Sequence, residues 1–291
     1  MHRESGVIPG TVVELGGRAV HRVDQRGPTP AVVLLGGCGV PYYQWDPVLA
    51  LLGPRRAVRL DRPGLVGTPW PGTLPSLAEE VETLAELVAG LDRPILVAHS
   101  MAGLHAEALV RTRPGSVAGL VLVDGSVERD PRPPGSGEGW LRVARIVRRA
   151  MRRPWVRPLG PAADRLLSWW QSRRLHLVGV FGPRTPWDAR ARRVFRSGDA
   201  VASVLAEQAA YAQQVWDLAE LRRRHPFEPI PVRVLTAAHD GGSNWVAVQA
   251  WLAEQLGAEQ TVLPESRHLI MLDQPEAIAA AVAAVEARLL R

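Results

Sequence analysis

One stretch constrains this chain more than any other: Ile95-Leu-Val-Ala-His-Ser100-Met-Ala-Gly103. Ile95 to Ala98 is a short, fully apolar run, the pattern of a strand buried in a parallel sheet. It stops at His99-Ser100. A helical pattern starts at once, with Met101, Leu104, Ala108 and Leu109 on one face. A strand that becomes a helix with no loop between them must bend sharply. The residue at the bend is strained, and its side chain projects off the end of the sheet. A serine there is a nucleophile elbow. Such a turn has no room for bulk two positions on either side, and the usual spacing is Gly-x-Ser-x-Gly. Here Ala98 and Ala102 hold those positions, with Gly103 one place late. The competing reading is an ordinary strand-to-helix junction capped by a serine.

Composition narrows the setting. A chain of 291 residues with 46% hydrophobic content can bury a large core, as one domain or as one domain with an insertion. A single cysteine, Cys38, excludes an intrachain disulfide. Met1 to Gly10 lacks the apolar core of a signal peptide, and no run of 18 apolar residues appears, so a cytoplasmic chain without a transmembrane segment is expected. All 35 basic residues are arginine. Residues 128–228 hold 20 arginines against 10 acidic residues; the rest holds 15 against 19. Six of the ten tryptophans (Trp140, Trp155, Trp169, Trp170, Trp187 and Trp216) lie in the same basic stretch. The shift marks an insertion.

The remaining pattern supports this division. Thr11 to Leu15 and Arg18 to Val23, joined by Gly16-Gly17, read as a hairpin. Ala31 to Leu35 and Ala57 to Asp61 read as strands, with a short helix from Trp45 to Leu52 between them. A capping box, Ser76-Leu-Ala-Glu79, opens a helix that ends at Gly90. Leu120 to Val123 is the strand after the elbow helix. This alternation predicts a mostly parallel sheet flanked by helices. It breaks near Glu128. Helices are then expected over Trp140 to Arg153, Ala162 to Leu175 and Ala200 to Arg224. The α/β pattern resumes with strands Pro231 to Leu235 and Gln260 to Leu263, and helices Asn244 to Leu256 and Pro275 to Leu290. The expected organisation is a core of residues 1–127 and 229–291 with a helical cap, residues 128–228.

Five segments in this order resemble the α/β-hydrolase superfamily. Leu34-Leu-Gly-Gly-Cys-Gly39 sits where members carry Leu-Leu-His-Gly-x-Gly, with Gly36 in place of the histidine. Asp61-Arg-Pro-Gly64 is similar to the family's Asp-x-x-Gly. Ala98-His-Ser-Met-Ala102 is similar to its nucleophile motif. Ala237-Ala-His-Asp240 falls where the catalytic acid often lies, and Ser266-Arg-His-Leu-Ile-Met-Leu-Asp-Gln-Pro275 resembles the segment of the catalytic histidine. The resemblance covers the chain outside the insertion. It implies an α/β-hydrolase fold with a serine, acid, histidine order.

The chemistry follows from what a serine needs. Its hydroxyl is a poor nucleophile until a base takes the proton. His268 is the candidate base. Its other ring nitrogen needs a carboxylate to hold the tautomer. Asp240 is the first choice and Asp124, after the preceding strand, the rival. The backbone N–H groups of Cys38 and Met101 are the candidate oxyanion donors. Cys38 as nucleophile is the weaker reading, because the elbow belongs to Ser100. His99 is expected to pack, and His105 has no assigned role. No Cys/His cluster has zinc-ligand spacing, and no Gly-Lys-Ser/Thr follows the glycine-rich turn, so no metal or cofactor is expected.

The expected function is hydrolysis of a carboxylic ester or related acyl bond. A non-hydrolytic member, a cofactor-free haloperoxidase-like perhydrolase or a ligand-binding protein, is the alternative. The cap tryptophans are expected to line an apolar pocket above Ser100, for a bulky or apolar small-molecule substrate, with the cap arginines outward. The arginine-rich helix starting at Trp140 is a solvated basic side or a contact for an anionic surface; no motif supports nucleic-acid binding.

Overall fold

The computed structural model describes residues 9–153, 189–239 and 241–290. Thr11–Leu15 (β1) and Arg18–Gln25 (β2) form the expected hairpin. The strands that follow are Val32–Leu35 (β3), Ala57–Leu60 (β4), Ile95–His99 (β5), Gly119–Val123 (β6), Val232–Ala237 (β7) and Glu259–Leu263 (β8). All lie in one sheet, in the order β1-β2-β4-β3-β5-β6-β7-β8. β2 runs antiparallel to both its neighbours, and every pairing from β4 to β8 is parallel.

The helices follow the sequence pattern closely. Asp46–Leu52 (α1), Leu77–Ala89 (α2) and Ala102–Thr112 (α3) join the first parallel strands. The capping box of α2 is formed: Ser76 Oγ accepts from Glu79 N, and Glu79 Oε2 accepts from Ser76 N at 2.9 Å. Glu138–Met151 (α4), Ala189–Phe195 (α5) and Gly198–Arg224 (α6) lie between β6 and β7. Gly242–Gln255 (α7), Ile270–Asp273 (α8) and Pro275–Leu289 (α9) complete the chain. The helix expected over Ala162 to Leu175 lies outside the described residues.

Side chains alternate across the sheet with the period of two that a strand imposes. Val33, Leu35, Leu96, Ala98, Leu120 and Leu122 pack with α2 and α3 on one face. Val32, Leu34, Ile95, Val97, Val121 and Val123 pack with α1 and α9 on the other. Both faces are covered, so these strands carry no polar side. Register then aligns the strand ends: His99 pairs with Val123, so Ser100 and Asp124 leave the sheet side by side.

α4 and α6 pack on each other through Leu141, Ala144, Ala202, Leu205 and Ala206, around Trp70. A buried charged chain joins α6 to the core. Arg62 Nε donates to Glu207 Oε1 at 2.7 Å, and Arg62 Nη1 reaches Glu80 Oε2 at 3.4 Å. Arg18 pairs with Glu80 at 2.9 Å. His105, which has no role in the sequence reading, sits inside this chain. Arg62 Nη1 lies 3.1 Å from its Nδ1, and Gln214 Oε1 lies 2.8 Å from its Nε2. Nδ1 therefore accepts and Nε2–H donates, which requires the neutral ring. Burial, then the nearby Arg62, pushes its pKa down to about 4. For Glu80, burial alone would raise the carboxyl, but Arg62 and Arg18 outweigh it and hold it well below the usual carboxylate range. A small cavity of about 30 Å³, lined by Arg18, Arg62, Glu80 and His105, runs alongside. That is room for about two waters.

The signs of these shifts set an acid limit on stability. Between pH 6.5 and 4 the unfolded chain protonates His105 while the folded chain does not, so stability is full above this window and falls through it as pH drops. Glu80, with its depressed pKa, removes more below its ordinary range near 4.5. Melting temperature should fall steadily from pH 7 to pH 4. His105→Gln should flatten part of that slope. Identical slopes in the two proteins would show that His105 does not set the limit.

Candidate active site

Ser100 occupies the bend foreseen in the sequence. Its backbone has φ +54°, a left-handed conformation costing a serine about 1–3 kcal/mol. Three hydrogen bonds hold it there. Ser100 N donates to Val123 O at 3.1 Å, and Ser100 O accepts from Gly103 N at 2.9 Å and Ser126 N at 3.0 Å. Gly103 sits in a tight place: a Cβ there would lie 3.3 Å from Gly125 Cα.

His268 comes from the loop between β8 and α8. Its Nε2 lies 3.0 Å from Ser100 Oγ, and its Nδ1 lies 2.6 Å from Asp124 Oδ2. All three residues are buried. The carboxylate fixes the tautomer: Nδ1–H donates to Asp124, leaving the Nε2 lone pair to accept from the serine hydroxyl. Asp124 is itself held on its other oxygen. Asp124 Oδ1 accepts from Ala237 N at 3.0 Å and from Trp245 Nε1 at 2.8 Å.

Asp240, the first choice from the sequence, lies outside the described residues. The carboxylate on His268 is that of Asp124, the rival, at the end of β6. The physical reason is register. Asp124 follows the strand beside β5, and Ala237 N and Trp245 Nε1 turn its carboxylate toward the histidine. Asp124 also has a positive φ, +46°, so two adjacent strands end in the same kind of bend.

His99 does more than fill space. Its Nε2 lies 3.0 Å from the backbone O of His268, and the two rings lie 4.6 Å apart between centroids. Burial, then the neighbouring His268, pushes its pKa well down, so it is neutral and donates from Nε2–H to that carbonyl. The loop carrying His268 is thus tied to the strand that leads into Ser100. Within the same segment Arg267 pairs with Asp273, with Arg267 Nη2 3.0 Å from Asp273 Oδ1.

The glycine-rich turn after β3 passes directly over the serine. A Cβ on Gly37 would lie 2.6 Å from Ser100 Cβ. Among the described residues none accepts a hydrogen bond from Cys38 N or Met101 N, the two N–H groups expected to face an oxyanion. The Cys38 thiol points toward α6, with Sγ 3.9 Å from Val204 O. Burial and the adjacent Glu207 push it well above its ordinary pKa, so it stays a thiol, which argues against thiolate chemistry.

Of the six cap tryptophans expected to line a pocket, two lie within the described residues. Trp140 is 48% exposed. Trp155, Trp169, Trp170 and Trp187 lie outside the described residues, and Trp216 is half-buried on α6. Val204 and Glu207 of α6 lie against the glycine-rich turn. Cap arginines are not all outward either: Arg222 pairs with the buried Glu107 at 2.7 Å. Sequence reasoning missed Trp245 and the role of His99. Trp245 carried no signal, since its partner lies 121 residues away. His99 was adjacent to the nucleophile and therefore placed near the site. Among the described residues no group of three metal-binding side chains occurs, and no helix is long and apolar enough to cross a membrane.

The family described as "Alpha/beta hydrolase family" matches residues 32–281. No curated protein matches the sequence. Many solved structures share the fold. An enol-lactonase from Burkholderia xenovorans LB400 is 20% identical, with TM-score 0.65, covering 95% of this chain and 100% of its own. A thermophilic esterase from Thermogutta terrifontis is 20% identical, with TM-score 0.67, covering 97% and 98%. The epoxide hydrolase VrEH1 from Vigna radiata is 18% identical, with TM-score 0.70, covering 98% and 100%. At these identities the likeness carries the fold alone.

The short His268–Asp124 contact has a spectroscopic consequence. The Nδ1 proton should resonate far downfield of the amide range. It should disappear in Asp124→Asn and persist in Asp240→Asn. The opposite pattern would return the acid to Asp240.

Proposed function

Because the chain belongs to the alpha/beta hydrolase family, we propose that it is a serine hydrolase acting on a carboxylic ester or a related acyl bond. One observation carries this reading: the unbroken chain Ser100 Oγ, His268 Nε2, His268 Nδ1, Asp124 Oδ2, with contacts of 3.0 and 2.6 Å. In the proposed reaction His268 takes the Ser100 proton as Oγ attacks the acyl carbonyl. The carbonyl oxygen becomes an oxyanion facing Cys38 N and Met101 N. Each such donor is worth about 3–4 kcal/mol in the transition state. His268 then gives its proton to the leaving alcohol, and an acyl-enzyme remains. Water, deprotonated by His268, attacks the acyl carbon; the acid leaves and Ser100 recovers its proton.

Asp124 orients the His268 ring and stabilises the imidazolium. The two donors on its far oxygen support that role, since they hold the carboxylate toward His268. Residues 128–228 form the cap in this reading, and α6 covers the oxyanion turn. Serine as nucleophile favours acyl transfer over epoxide opening, which fits an aspartate nucleophile. The names of the similar enol-lactonase and esterase make lactones and short esters the first substrates to try.

A panel of short aryl esters and lactones tests the class. Turnover should appear in the wild type and vanish in Ser100→Ala. Asp124→Asn should lower turnover by about 10⁴-fold, the size seen when a triad acid is neutralised. Gly37→Ala should lower it by about 10²–10³-fold, because the added Cβ must push the oxyanion turn off Ser100. Peroxide-dependent halogenation without ester or lactone turnover would overturn the assignment in favour of a perhydrolase.

A further inference from the structure

α4 turns Leu141, Ala144 and Met151 into the interior. It also leaves a second apolar stripe on the outside. Val143 is 41% exposed and Ile146 63% exposed, one turn apart on the helix. Ala150 continues the stripe a further turn.

Charge decides what could cover the stripe. Residues 138–153 hold six arginines and one acid, Glu138. Arg148 is occupied by Asp199, and Arg145 by the carbonyl of Gly72. Arg142 and Arg149 are exposed, make no ion pair among the described residues, and at 100° per residue flank the stripe on one side. A second copy of the chain would bring these arginines against each other. A nucleic acid would meet the charge but gain nothing from Val143 and Ile146. An anionic bilayer satisfies both: apolar side chains enter the acyl boundary while guanidinium groups lie among the headgroups.

We infer that the outer face of α4 docks this protein on an anionic lipid surface, through Val143 and Ile146 inserted and Arg142 and Arg149 at the headgroups. The inference does not depend on the chemistry proposed at Ser100. It gives the basic cap a partner. The binding is peripheral and reversible, because so short a stripe buries little apolar area.

Co-sedimentation of the full chain with vesicles tests it. Phosphatidylcholine vesicles with about one-third phosphatidylglycerol should retain the protein at about 0.1 M salt. Retention should drop at least about tenfold on pure phosphatidylcholine, and likewise at about 0.5 M salt. Ile146→Asp and the pair Arg142→Glu, Arg149→Glu should each weaken retention by about tenfold or more. Their melting temperatures should stay at the wild-type value, since all three side chains face solvent. No retention on anionic vesicles overturns the inference. So does unchanged retention of Ile146→Asp, which would leave only diffuse charge. Concentration-dependent dimerisation abolished by Ile146→Asp, without vesicle binding, would assign the stripe to a second copy instead.

Discussion

The structure depends on one strained backbone position. Ser100 is held at φ +54° at the point where β5 becomes α3. Nothing local to a serine favours that conformation. It persists because Val123 O, Gly103 N and Ser126 N fix both sides of its peptide group, and because β5 is buried in mid-sheet with no freedom to shift. The close approach of Gly37 and the small residues at 98, 102 and 103 follow from that bend. So does the direction of the hydroxyl, off the carboxyl end of the sheet, where open α/β sheets place their ligands.

Everything else at the site is brought to this point by long-range pairing. Asp124 arrives because β6 lies beside β5 in parallel register. His268 arrives on a loop pinned by His99 to the same strand. Two buried electrostatic systems run in parallel here. One is the line of Ser100, His268 and Asp124, in which Asp124 is satisfied by three donors. The other is the Arg18, Glu80, Arg62, Glu207 chain, in which each buried charge has an opposite partner. Unpaired, any of these charges would cost several kcal/mol in the interior. Paired, they join α6 to the core behind the oxyanion turn.

The fold was legible in the sequence because its signals are local. Apolar runs such as Val32 to Leu35, the capping box at Ser76, and the bend at Ser100 each lie within a few residues. Ser100 and His268 stand out in the sequence for the same reason. Which carboxylate lies beside His268 does not. Asp124 and Asp240 both follow an apolar strand, and nothing within reach of either says which carboxylate meets His268. The choice is made by Trp245, Ala237 and strand order, all distant in sequence from Asp124. The outer apolar stripe of α4 was hidden differently. Its Val143 and Ile146 interleave with arginines, and a single buried face was the simplest reading of that pattern. Only packing against α6 shows which apolar residues are left over.

The central claim is that the bend makes Ser100 a nucleophile activated by His268. Reaction with a fluorophosphonate, followed by peptide mass spectrometry, measures it directly. The account predicts one adduct per chain, on Ser100, and none in Ser100→Ala. An adduct elsewhere, on Cys38 or another serine, or labelling that survives Ser100→Ala, would contradict it.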